Sequence, residues 1–130
     1  MAKRTDYSAT IVSSSRELSV KEKIQFKDLT DTTRLDTVVT IDKPLTIEVD
    51  TIVELAIHNE NARDDKDYTT IVLVAKDGTR YSTSSESVRK AIEDIMEEAS
   101  DGGLDEYSIK VLARPSKNRE GQHYLTATIA

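Results

Sequence analysis

Along most of this chain apolar and polar residues alternate with a period of two, the signature of half-buried strands. Leu45, Ile47 and Val49 alternate with polar neighbours, and so do Val53, Leu55 and Ile57, with Glu54 and His58 on the other face. Two strands are therefore expected there, 45–49 and Thr51–His58, after a strand at Thr37–Ile41 and a turn at Asp42-Lys43-Pro44. Thr69–Ala75 carries Ile71, Val72, Leu73 and Val74 in succession, a β-branched run that reads as a buried strand. Asp77-Gly78 then predicts a type I′ hairpin turn into Thr79–Thr83.

One segment changes period. Val88, Ala91, Ile92, Ile95, Met96 and Ala99 recur at helical spacing, predicting an amphipathic helix. Thr83-Ser-Ser-Glu86 reads as a capping box at its start, and Gly102-Gly103 as its stop. Two more strands follow, Ser108–Ala113 and His123–Ile129, joined by the loop Arg114–Gly121. The uniformly polar Asn59–Asp67 is a loop. Near the N-terminus, Tyr7–Val12 reads as a short strand or arm set off by Ser13-Ser14-Ser15. Residues 18–29 stay open between helix and strand: Ser19 and Glu22 fit a capping box, whereas Ile24 and Phe26 alternate.

The expected fold class is α+β, mainly antiparallel β. From residue 51 the order is strand, strand, strand, helix, strand, strand, the order of a five-stranded oligonucleotide-binding (OB) barrel with one helix between strands three and four. The 130 residues are expected to form one domain, with 1–50 as an N-terminal extension and strands and 51–130 as the OB-like core.

Composition narrows the picture. With 37% hydrophobic and 32% charged residues the chain is globular, and no apolar run approaches the length of a membrane span. Lys3 and Arg4 are not followed by an apolar run, so no signal peptide is expected, and the expected location is cytoplasmic. The absence of cysteine excludes disulfides, thiolate zinc sites and cysteine nucleophiles. A formal net charge of −6 argues against general adhesion to nucleic acid, but charge is segregated. Seven acids lie between Glu93 and Glu106 with no base among them, whereas Lys110, Arg114, Lys117 and Arg119 follow.

Catalytic chemistry finds little support. His58 and His123 fall in separate strands, Ser84, Ser85 and Ser87 are helix-capping residues, and no glycine-rich phosphate loop exists. Asp64, Asp65 and Asp67 lack the glycine and glutamate spacing of a calcium loop, so they read as a solvated loop. No catalytic residue, metal or cofactor is expected. The basic and aromatic set is more informative. Lys110 alternates with Ile109 and Val111, Tyr124 with Leu125, and Arg80 and Tyr81 point to opposite sides of their strand. Cations that track phosphates beside rings that stack on bases are how single strands are bound without sequence preference. The candidate contact set is Arg80, Tyr81, Lys110, Arg114, Lys117, Arg119 and Tyr124; packing in the sheet is the other use open to its tyrosines, as to Tyr68 and Tyr107.

Several stretches, in order and spacing, resemble small single-stranded DNA-binding proteins of bacteriophages, chiefly of Gram-positive hosts. They are Glu17–Lys23, Ala56-Ile-His-Asn59, Asp64–Tyr68, Lys76–Ser84 and Ser116–Gly121 with the closing strand. The resemblance implies an OB-type fold and a non-enzymatic role coating single-stranded DNA in phage replication or recombination, within the host cytoplasm. Single-stranded DNA is then the partner, with self-association along the strand and with neither membrane nor small-molecule substrate. Unlike bacterial single-strand-binding proteins, which end in an acidic partner-recruiting tail, this chain ends in the strand residues Thr126–Ala130. The alternative reading is a small phage interaction or inhibitor protein that binds a host protein through the acidic face Glu93–Glu106.

Overall fold

The computed structural model describes residues 7–59, 67–115 and 123–130. Its elements are β1 (Tyr7–Ser14), α1 (Val20–Phe26), β2 (Thr33–Arg34), α2 (Leu35–Val38), β3 (Leu45–Asn59), β4 (Asp67–Ala75), β5 (Arg80–Thr83), α3 (Glu86–Asp101), β6 (Ser108–Pro115) and β7 (His123–Ile129). The strands form one sheet in the order β2-β5-β4-β3-β6-β7, with β1 also on β3, curled into a half-barrel. Every pairing is antiparallel except the two-residue parallel contact of β2 with β5. From Leu45 onward the order is three strands, α3 and two strands. Among the described residues no pairing joins β5 to β7, so the half-barrel stays open there. No helix among them is long and apolar enough to cross a membrane.

The two strands expected at 45–49 and 51–58 are one strand. β3 runs for 15 residues with a bulge between Val49 and Thr51. A bulge adds one residue and so exchanges the two faces of everything beyond it. Ile47, Val49 and Ile52 pack into an interior cluster with Ile71, Leu73, Val88, Ile92, Ile109 and Val111. Val53, Leu55 and Ile57 pack into a second cluster, on the opposite side, with Leu18, Phe26 and Val72. α3 covers the first cluster, whereas α1 and β1 cover the second.

Other expectations are corrected for local reasons. Thr37–Ile41 is not a strand, because Leu35 and Val39, one helical turn apart, both enter the interior cluster and a single turn of helix places them there. Thr40 retains only an isolated bridge to Lys43. Residues 20–26 are helical: the Ser19 hydroxyl accepts from the Glu22 amide while Glu22 accepts from the Ser19 amide. The turn after β4 is not type I′, since only Gly78 has positive φ, +92°. The amide of Gly78 donates to the Ala75 carbonyl and that of Ala75 to the Thr79 carbonyl. These bonds define a three-residue loop with a left-handed glycine. The Thr83–Glu86 capping box does not form; Thr83 Oγ1 accepts from the Ser85 amide, and the Ser85 hydroxyl bonds to that of Ser87 instead of capping an amide of α3. At the other end Gly103, φ +70°, closes a Schellman motif: Leu104 donates to Ala99 and Gly103 to Ser100.

Candidate nucleic-acid interface

The β6–β7 hairpin owes its two faces to alternation. Ile109 and Val111 are fully buried in the interior cluster, with Ala113, Leu125 and Ala127 packed against it. The alternate residues therefore point outward. The register sets Lys110 opposite Thr128, Leu112 opposite Thr126, and Arg114 opposite Tyr124. On the next strand Thr46 lies opposite Lys110 and Glu48 opposite Ser108. Lys110 and Arg114 are exposed and form no ion pair with a described residue, and Tyr124 is 43% exposed. Three of the seven sequence-predicted residues thus share one outward face, a cation at each end and a ring beside the second. Leu112 and Thr126, half-buried between them, were missed in the sequence reading; the i+2 alternation that singles out Lys110 also marks them.

The other four lie differently. Arg80 begins β5 opposite Val74, on the outward side of the sheet. Its Nη2 donates to the Gln25 carbonyl at 3.2 Å, and its guanidinium stacks 5.4 Å from the Phe26 ring centre, so α1 already occupies it. Tyr81 points to the interior side and packs against the first cluster, as Tyr107 does, while Tyr68 packs against the second. Burial pushes the Tyr107 hydroxyl pKa up. Lys117 and Arg119 lie outside the described residues. So do Asp64 and Asp65, and no group of acids or histidines that could hold a metal occurs among those described. His58 Nδ1 sits 2.7 Å from Asp67 Oδ1, while His123 begins β7 opposite Pro115.

Residues 36–130 match the family of phage single-stranded DNA-binding proteins. The chain belongs to this family. No curated protein and no solved structure gives a further match. The matched span runs from within α2 to residue 130, so it contains the whole β6–β7 face and all of the interior cluster except Leu35.

Electrostatics away from this face also matter to a protein of the single-stranded DNA-binding family. Burial, then the neighbouring Glu93, raises the Glu54 pKa, while Ser13 donates to Glu54 at 3.1 Å. Glu93 is lowered, chiefly by its bond with Glu54 and then by Arg89, whose Nη1 donates to it at 3.0 Å. Lys76 offsets Glu106 at 3.5 Å. Within the acidic run, Asp94, Glu97, Glu98 and Asp101 are left exposed on α3 without a cation among the described residues.

Proposed function

We propose that this protein coats single-stranded DNA during phage replication or recombination, without catalysing a reaction, in the host cytoplasm. The observation that carries this reading is the outward β6–β7 face, where Lys110 and Arg114, without an ion pair among the described residues, align with Tyr124 in a member of the single-stranded DNA-binding family. Lys110 and Arg114 bind phosphates there, joined by Lys117 and Arg119 from the segment that links the two strands. Tyr124 stacks on a base, and Leu112 offers apolar support between the cations. Arg80, held by Gln25 and Phe26 of α1, and Tyr81, packed against the interior cluster, serve the scaffold and not the strand contact.

The chain acts as one domain, with residues 1–50 as extension and strands and 51–130 as core. The order β3-β4-β5-α3-β6-β7 supports an OB-type barrel with its helix between the third and fourth strands. Titration of the protein with oligo-dT and with a duplex of equal length tests the function. Saturable binding to oligo-dT that weakens with added salt is expected, with the duplex bound less tightly. Equal affinity for both, or none for either, refutes it.

A further inference from the structure

Two surfaces remain that strand binding does not use, and they complement each other. On α1 the buried Phe26 fixes which side faces the sheet. Val20 and Ile24, one turn apart, then point to solvent, 74% and 66% exposed. Lys21, Lys23 and Lys27 flank them, exposed and without an ion pair among the described residues. The result is an apolar pair ringed by three cations.

The second surface is a groove of about 500 Å³ between α3 and β7, the strand that ends the sheet. Ile95 and Ala127 form its floor and the exposed Leu104 and Ile129 its walls. Asp94 and Glu98 stand on its rim, with no cation beside them among the described residues. It is an apolar slot with two carboxylates on its α3 rim, complementary to the α1 face in chemistry and opposite to it in charge.

We infer that the α3–β7 groove receives α1 of a second copy of this chain. Val20 and Ile24 fill the slot while Lys21, Lys23 and Lys27 meet Asp94 and Glu98. The donor helix covers the second cluster and the acceptor groove borders the first, so the two surfaces lie on opposite sides of the sheet. Such a contact is heterologous: each copy donates once and accepts once, and copies add head to tail instead of closing as a two-fold dimer. Of the groove's lining only Thr128 also lies on the outward β6–β7 face, opposite Lys110, so the contact leaves Leu112, Arg114 and Tyr124 clear. A single contact of this size is weak; a bound strand that holds neighbours close raises their effective concentration and makes it count. The inference goes beyond strand binding and gives the acidic α3 face an occupant.

The test uses charge reversal in the full chain without DNA, so it succeeds or fails apart from strand binding. One variant carries Lys23→Glu and Lys27→Glu, the other Asp94→Lys and Glu98→Lys. All four positions are exposed, so both variants fold, which their thermal melts verify. Sedimentation velocity at rising concentration and low salt should show wild type associating and each variant alone associating at least about tenfold more weakly. An equal mixture should recover association, because each variant's helix then fits only the other's groove. Adding salt to wild type should disperse it. Wild type that stays monomeric throughout, a variant that associates as wild type does, or a mixture without recovery overturns the inference; association through another surface gives the second of these results.

Discussion

Replacing Lys110 and Arg114 together by alanine tests the proposed face most directly. Each phosphate neutralised on a single strand adds about −0.7 to the slope of log affinity against log salt. With Lys110, Arg114, Lys117 and Arg119 all engaged, the wild-type slope should lie near about −2.8. Between about 50 and 200 mM salt, binding then weakens about 50-fold. The double variant keeps two of the four cations, so its slope should fall to about −1.4 and the same salt step should cost about sevenfold. Both side chains are exposed and free of ion pairs with described residues, so stability should move by no more than about 0.5 kcal/mol. Fluorescence titration of oligo-dT at four or five salt concentrations measures the slope, and a urea melt checks the fold. Tyr124→Ala is the internal contrast: it should lose about 1–3 kcal/mol of affinity with the slope unchanged, since a stacked ring releases no counterions. A double variant whose slope equals that of wild type would place the phosphate contacts elsewhere and remove the β6–β7 face from the reading.

Three predictions concern the scaffold. Ile92→Ala removes three carbons from a fully buried site between α3 and the sheet and should cost about 2–5 kcal/mol, seen as a lower urea midpoint with unchanged slope. Gly103→Ala should cost about 1 kcal/mol, measured by thermal melt, because its Cβ meets no atom within 4 Å and the penalty is the left-handed backbone alone. Glu54→Gln should raise the melting temperature near pH 7. The folded pKa of Glu54 is raised, so the charged form is disfavoured in the fold above that pKa, and the penalty disappears as pH falls through it. A gain that does not shrink toward pH 4 would mean that charge is not its source.

The regular elements were legible because their periods are simple. α3 shows helical spacing, and Val88, Ile92 and Ala99 are indeed its buried residues. The outward direction of Lys110 and Tyr124 followed from alternation with the buried Ile109 and Val111 and the half-buried Leu125. What escaped depends on tertiary partners. Val39 looks like the middle of a β-branched strand at Thr37–Ile41 until the core calls for it and Leu35 on one helical face. Arg80 is a cation in sequence, but its Phe26 and Gln25 partners lie 54 and 55 positions away, beyond any local pattern. The bulge in β3 was hidden because Leu45–Val49 and Val53–Ile57 keep the same odd-numbered rhythm while facing opposite sides.

That bulge makes Asp50 a residue that β3 can lose without exchanging its faces. Val49 and Thr51 pair with the consecutive residues Ala75 and Val74, so without Asp50 the ladder runs on unbroken. Ile47, Val49 and Ile52 then stay on one cluster and Val53, Leu55 and Ile57 on the other. A residue removed between Val53 and Ile57 instead exchanges the faces of what lies on one side of the deletion, and the second cluster loses part of its contribution from β3.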